Sequence, residues 1–348
     1  MYGMSREGQD TEAKTAAQAQ MLANRLVKRF RHLRKWARRE HVESFRLYDC
    51  DIPEIPLVLD LYGDAVSGAL YKRPYEKDEA EEQRWLEAMA NSAAQSLSLE
   101  PANIFIKQRQ RQRGQAQYEK MADRGLTREV SEGSLKFKVN LSDYLDTGLF
   151  PDRRAMRRMV NADSQGKRVL NLFCYTASFS IHAADGGAAS TDSVDLSNTY
   201  LAWARDNFCL NGLKADILRL EDFSGIPGPC AHRLIRADAA AFLRAAAAAH
   251  KRWDSIIADP PAFSNSTMAG DFDLRRDYAA LLSRCLSLLA PNGKLWFSAS
   301  ARSFKTGAAE IETALKDRFP GIKVTDMSGK MVDEDFRGKR IPRCFIIC

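Results

Sequence analysis

Four stretches of this chain place chemically useful residues at the end of a short strand-like segment. In RVLNLFCYTASFS (168–180), Val169, Leu170, Leu172 and Phe173 give way to a small polar bend at Thr176, Ala177 and Ser178. TDSVDLS (191–197) carries Asp195, IRAD (235–238) ends in Asp238, and WDSIIADPPAF (253–263) ends in Asp259-Pro260-Pro261-Ala262-Phe263. In an open parallel sheet, ligands bind in the crevice outside the carboxyl ends of the strands. There, an acid ending the second strand can accept both hydroxyls of a ribose, and an acid ending the third can accept from an adenine amino group. Asp195 alone does not choose between cofactors, because a dinucleotide ribose takes the same contact. Asp-Pro-Pro-Ala-Phe is more particular. Two prolines fix φ and remove two backbone donors, which leaves carbonyls to face a base, and Phe263 offers a flat surface for stacking.

The elements that must position these residues follow from the hydrophobic pattern. From Gly166 onward the chain reads β, α, β, α with near-continuous apolar strands, which predicts an α/β fold with a doubly wound, mostly parallel sheet. Helices are expected at 179–184, 200–213, 238–250 and 278–289, a fifth strand at 293–300, and a closing antiparallel pair at 323–327 and 343–348. The insertion at 214–230 has no functional reading. Upstream, 1–20 is polar and is expected to be a flexible leader. Residues 21–40 bring Leu22, Leu26, Phe30, Leu33 and Trp36 to one helical face, interleaved with Arg25, Lys28, Arg29, Arg31, Arg34, Lys35, Arg38 and Arg39. With no acid among them, phosphate contact is favoured over a merely solvated face. Short strands with a Gly63-Asp64 hairpin, a helix at 76–98, and two further strands in 135–154 complete an α+β region, followed by a helix at 154–161. IFIKQRQRQRG (104–114) reads as an edge strand running into cations Lys107, Arg109, Arg111 and Arg113, which suit RNA contact and edge protection equally. The boundary is placed near 150. The expected organisation is a leader at 1–20, a basic helix plus α+β RNA-binding domain at 21–150, and a catalytic domain at 151–348.

Composition narrows the classes. A chain of 348 residues, 45% hydrophobic, has ample material for two buried cores. It has no apolar run long enough to cross a bilayer and no signal-peptide core, so a cytoplasmic protein is expected. The seven cysteines are scattered without C-x-x-C and the five histidines lack ligand spacing, so neither disulfides nor a metal is expected. A net charge of +7 favours an anionic partner, with nucleic acid ahead of membrane.

The series NLFCYTASFS, VDLS, NFCLNGL, RAD, DPPAFSNS and FSASARSFK, preceded by FRLYDCDIPE and DYLDTGLFPDRR, resembles the RlmK family of 23S ribosomal RNA guanine-N7 methyltransferases over nearly the whole chain from Asn24. The resemblance implies a class I methyltransferase (Rossmann-like) domain and S-adenosyl-L-methionine (SAM) as methyl donor. The closing antiparallel pair fits such a sheet better than a dehydrogenase sheet. Asn171, Phe173, Tyr175, Thr176 and Ser178 would line the methionine side, with Asp195 on the ribose and Asp238 on the adenine. Asp152 and Arg154 match the family's TGLF-x-D-x-R segment and would touch the cofactor or hold its lid. Two departures stand out: Ala177 occupies a position where the family usually has glycine, and the family's FSNN reads Phe297-Ser298-Ala299-Ser300 here. Some members are fused behind an N2-guanine methyltransferase; here a separate one is the expected companion.

Guanine N7 carries a lone pair and no proton, so attack on a sulfonium methyl needs no general base, and alignment supplies most of the effect. Asp259, Pro260 and Phe263 are the catalytic candidates, with the Asp259 carboxylate placed to stabilise charge developing on the base. Because N7 lies in the deep groove of A-form helices, the substrate is expected as unpaired or opened large-subunit ribosomal RNA, free or in a precursor particle. Arg302 adds a cation near the site. Three alternatives stay open: a cytosine-C5 methyltransferase, which needs a cysteine nucleophile that the Asp-Pro-Pro stretch lacks; an amino-group methyltransferase; and a basic RNA-binding protein with an inactive domain.

Overall fold

The computed structural model describes residues 6–71, 78–109, 125–223, 230–266, 270–300, 303–339 and 341–348. The chain divides into two compact units, Met1–Ser134 with Val139–Thr147, and Leu135–Lys138 with Gly148–Cys348. The second unit therefore claims seven residues, 135–138 and 148–150, from the region assigned by sequence to the first domain.

In the first unit, helix α1 (Arg6–Arg39) starts inside the stretch expected to be a flexible leader. The reason is tertiary contact. Gln18 is buried and its side-chain oxygen accepts from Trp85 Nε1 at 2.6 Å, while the Ala19 carbonyl accepts from the Ser92 hydroxyl at 2.6 Å. Both partners belong to α2 (Glu79–Leu97), whose N-cap Asp78 accepts the Ala80 and Glu81 N–H groups. Leu22, Leu26, Leu33, Trp36 and Ala37 form the inward stripe of α1. Strands β1 (Ser44–Asp49), β2 (Leu57–Tyr62), β3 (Ala65–Tyr71) and β4 (Ile104–Arg109) pair in that order. The first two junctions are antiparallel, with Gly63 at φ +62° in the β2–β3 hairpin, and β4 joins β3 in parallel as the sheet edge. A hairpin follows, β5 (Thr127–Glu132) and β6 (Leu135–Asn140), turning at Gly133 with φ +65°. Of the two strands expected in 135–154, only β6 forms.

The second unit opens with α3 (Arg154–Ala162) and continues β7 (Arg168–Leu172), α4 (Ser178–Asp185), β8 (Ser190–Asp195), α5 (Asn198–Leu210), β9 (Asp216–Arg219), β10 (His232–Arg236), α6 (Ala239–Ala248) and β11 (Trp253–Ala258). It closes with β12 (Phe263–Ser266), β13 (Gly270–Asp273), α7 (Leu274–Leu286), β14 (Leu289–Ala299), α8 (Ala308–Leu315), β15 (Val324–Asp326) and β16 (Arg343–Ile347). Among the described residues, eight strands form one sheet in the order β15-β16-β14-β11-β7-β8-β10-β9. Strands β9, β10, β8, β7, β11 and β14 run parallel, while β16 is antiparallel to both β14 and β15. The strand order reverses between β7 and β11, which makes their carboxyl ends the switch point where ligands bind. Leu170, Leu172, Val194, Ile235, Ile256, Ala258, Leu295 and Phe297 are buried together beneath it. The sequence reading lacked three features: β9 within the 214–230 insertion, helix α8, and the β12–β13 ribbon that follows Asp-Pro-Pro.

Candidate cofactor and acceptor site

The turn from β7 into α4 is built from alternating left-handed residues, Phe173 at φ 55°, Tyr175 at φ 54° and Ala177 at φ 60°. Non-glycine residues in that region are strained, so the surroundings must hold them. Asp195 does much of this: Oδ2 accepts the Tyr175 N–H and Oδ1 the Ser197 N–H, each at 2.9 Å. The Cys174 N–H adds a bond to the Val194 carbonyl at 3.0 Å. Thr176 Oγ1 donates to the Gly148 carbonyl at 2.6 Å, and Asn207 Nδ2 donates to the Thr176 carbonyl at 3.2 Å. Gly148 itself is obligatory, since its φ is +97° and a Cβ there would lie 2.2 Å from the Trp203 ring. Ala177 is wholly buried in the conformation that glycine adopts without strain, which accounts for the family's preference at that position.

The expected cofactor residues separate into two groups. Asp195, Asp238, Phe173, Tyr175 and Ser178 are half-buried around the crevice. The Ala237 N–H bonds the Asp195 carbonyl at 3.1 Å, which joins the ends of β8 and β10. Asp238 caps α6 through Oδ1 on the Ala241 N–H at 2.9 Å. Tyr175 packs edge-on against Tyr200 at 4.5 Å and close to Phe150 at 5.3 Å, while Phe173 lies 6.0 Å from Phe272. Burial pushes the Asp195 carboxyl up from 3.8 to about 6, opposed by its backbone N–H bonds.

The other group turns inward. Asn171 is buried mid-sheet and bonds Ser180 Oγ at 2.9 Å, which also receives Ser193 Oγ at 2.7 Å; this network fixes α4 against β7 and β8. Thr176 is fully buried with its hydroxyl committed to Gly148. Both position the turn rather than line the crevice. Arg154 is corrected more sharply: it is fully buried and faces Asp333 and Asp335 at 3.0 and 3.1 Å, so it anchors α3 to the C-terminal segment and does not face the crevice. The reason is helical geometry. At the first position of α3 its side chain points to the core, whereas Arg153, one residue earlier, points to the strand ends.

Arg153 is the residue that sequence reasoning missed. Its Nε and Nη2 bond the two Asp259 oxygens at 3.0 and 3.2 Å, and Nη1 bonds Asp152 Oδ2 at 2.6 Å. Asp152 thus belongs to this cluster. A guanidinium fork from Arg153 grips Asp259 from one side. The motif segment DYLDTGLFPDRR held the only available signal, two adjacent arginines after an acid. Pro260 is buried, and Phe263 is 52% exposed with the Arg275 guanidinium 6.0 Å from its ring centroid.

On α1, Lys28, Arg31, Arg34, Lys35, Arg38 and Arg39 are exposed, and an open groove runs along Asn24, Val27, Lys28, Arg31, His32 and Lys35. Arg25 pairs instead with Asp51 at 2.7 Å, and Arg29 is half-buried. Lys107 donates to the Tyr144 carbonyl, which takes it from the set of free cations. Arg111, Arg113, Arg302 and the side chain of Arg109 lie outside the described residues. Among the described residues no helix is long and apolar enough to cross a membrane.

A doubly wound sheet closed by an antiparallel strand, with acids after β8 and β10 and Asp-Pro-Pro after β11, defines a class I methyltransferase site. Comparison with known proteins agrees. The model of S-adenosylmethionine-dependent methyltransferases matches residues 52–314, and the chain belongs to that family. The ribosomal RNA large subunit methyltransferase K of Neisseria meningitidis serogroup B is 41% identical over 326 residues, covering 93% of this chain and 86% of that protein. The ribosomal RNA large subunit methyltransferase K/L of Pseudomonas entomophila is 44% identical over 336 residues, covering 96% of this chain; the chain spans 42% of its length. SMU.776, a methyltransferase crystallised with SAH, shares the fold with a TM-score of 0.71 at 24% identity, covering 94% of this chain and 81% of that one. The residues present fit SAM. Asp195, which accepts backbone N–H bonds from Tyr175, Ser197 and Leu196, stands half-buried at the crevice for the ribose hydroxyls, Asp238 Oδ2 makes no hydrogen bond among the described residues, and Phe173 and Tyr175 supply apolar walls.

Proposed function

We propose that this chain methylates guanine N7 in large-subunit ribosomal RNA by direct displacement. When bound, SAM supplies a methyl group on a sulfonium. Asp195 and Asp238 orient the nucleoside end of the cofactor, and the β7–α4 turn holds its other end. Pro260 and Pro261 keep the acceptor turn rigid, and the exposed Phe263 ring gives the base a stacking surface. The N7 lone pair forms the new C–N bond, the C–S electron pair stays on sulfur, and no proton moves.

The observation that carries this reading is the state of Asp259: the Arg153 fork orients both of its oxygens toward the arginine, and attack by N7 calls for no proton acceptor at this turn. The names of the relatives support ribosomal RNA of the large subunit as the substrate class. The covalent cytosine-C5 route is disfavoured because it needs a thiolate. Burial pushes the thiols of Cys285 and Cys344 up to about 12, and raises Cys174 well above its ordinary value. The exposed cations of α1 would hold RNA phosphates, N7 in the deep groove of an A-form helix calls for an opened or single-stranded target, and the intact acids Asp195, Asp238 and Asp259 argue against a decayed domain. Action on ribosomal RNA or a precursor particle implies a cytoplasmic enzyme.

The test is methyl transfer from labelled SAM to unmodified large-subunit ribosomal RNA, followed by nuclease digestion and mass spectrometry. 7-Methylguanosine supports the proposal. N2-methylguanosine or 5-methylcytidine refutes it.

A further inference from the structure

The acceptor turn is held by a side chain that its own motif does not contain. Arg153 ends the short 3-10 turn Pro151–Arg153, directly before α3. Its side chain is 8% exposed. Besides the two bonds to Asp259 and the one to Asp152, Nη2 donates to Ser300 Oγ. The guanidinium also lies 5.9 Å from the Phe150 ring centroid. Asp259 follows β11 and Ser300 follows β14, and these strands are neighbours, so one guanidinium ties two adjacent strand ends together. The turn that carries it is itself immobilised, because the next residue, Arg154, is buried against Asp333 and Asp335.

We propose that Arg153 is the positioning residue for methyl transfer, and that by gripping Asp259 it holds the acceptor turn where the base must sit. The proposal rests on the reading of Asp-Pro-Pro as the acceptor site. A carboxylate held at both oxygens by a planar fork is fixed in orientation toward the arginine. The turn so held presents the proline carbonyls and Phe263 to the base. The cluster of two carboxylates and one guanidinium keeps one net negative charge, which opposes the positive charge that N7 methylation leaves on the ring. Ser300, where the family has asparagine, completes the grip on Arg153 in this chain.

Four proteins test this: the wild type, Arg153→Gln, Asp259→Asn and the double variant. For each, kcat and KM on large-subunit ribosomal RNA, SAM affinity by calorimetry, thermal stability and product identity are measured. Releasing Asp259 misplaces the acceptor turn, so Arg153→Gln is expected to lower kcat about 100-fold, with SAM affinity within about threefold of wild type. Because both changes act on one contact, the double variant is expected to be no slower than Arg153→Gln. A kcat for Arg153→Gln within threefold of wild type overturns the proposal, as do losses that multiply in the double variant. A purely structural arginine would instead lower stability and SAM affinity together and leave kcat of the folded protein intact, which also overturns it. Should Arg153→Gln fail to fold, Arg153→Lys decides: one ammonium cannot bridge both oxygens, so kcat falls about tenfold, and an unchanged kcat refutes the role. A wild-type product other than 7-methylguanosine would defeat the proposed function, whereas the coupling of Arg153 to Asp259 is read from rates on whichever nucleoside forms.

Discussion

Replacing Arg154 with methionine separates an anchoring role from cofactor contact. The side chain is fully buried, with its guanidinium 3.0 Å from Asp333 and 3.1 Å from Asp335, and both acids are themselves almost wholly enclosed. Methionine fills much of the volume but removes the positive charge that the two carboxylates face. Breaking a buried ion pair from one side is worth roughly 3–5 kcal/mol. Arg158 also pairs with Asp333, which puts the expected loss toward the lower end, about 3 kcal/mol. For a unit of this size each kcal/mol shifts Tm by about 2–4 °C, so a drop of roughly 6–12 °C is expected. Adding Asp335→Asn to Arg154→Met removes one of the stranded charges and is expected to restore part of the loss. The assay is thermal unfolding paired with SAM titration at low temperature, where the folded variant should bind SAM within about threefold of wild type. An unchanged Tm with SAM binding abolished would refute the reasoning and return Arg154 to the cofactor.

Asp195 has a folded-state carboxyl raised from 3.8 to about 6, so between those values the folded chain holds a proton that the unfolded chain has lost; without cofactor, this group's contribution to stability falls as pH rises through that window, and Asp195→Asn should remove the effect from denaturation curves. SAM affinity has the opposite slope, because the ribose hydroxyls seek the carboxylate: calorimetry should show binding weakening as pH drops below about 6. Changing Lys28, Arg31 and Lys35 together to alanine is expected to weaken RNA binding and to reduce the slope of log affinity against log salt by about 2, read by filter binding at several salt concentrations, with no change in SAM affinity. Phe263→Ala removes an exposed stacking surface worth about 1–3 kcal/mol; steady-state kinetics should show the loss on the RNA side, and an unaltered KM and kcat would exclude that ring from the acceptor site.

The parallel sheet was legible because its strands are continuous apolar runs ending in acids, and Asp195 and Asp238 stand at the mouth where those runs place them. The β12–β13 ribbon was not, since FSNS and GDFD have neither an apolar alternation nor a turn pair to announce a hairpin. Strand β9 was hidden in a short polar stretch, its burial small because it lies at the sheet edge. Residues 1–20 read as a leader because their composition is polar; what holds 6–20 as helix is a buried glutamine meeting a tryptophan on α2, a contact between positions far apart in sequence. The same limit explains Arg153 and Arg154. Both are arginines in one motif, and only the handedness of the turn entering α3 decides that one faces Asp259 and the other Asp335. Likewise a threonine and an asparagine near the cofactor turn look like ligand contacts in sequence, but Thr176 and Asn171 point inward because their partners Gly148 and Ser180 are there to receive them.

The most direct test of the account uses a large-subunit ribosomal RNA transcript in which 7-deazaguanosine replaces guanosine, so that every base keeps its amino group and its pairing edge but lacks N7. The account predicts that methyl transfer from labelled SAM, present on the ordinary transcript, disappears on this one while binding persists. Undiminished transfer to the 7-deaza transcript would mean that the methyl group goes to another atom, and would contradict the proposed function.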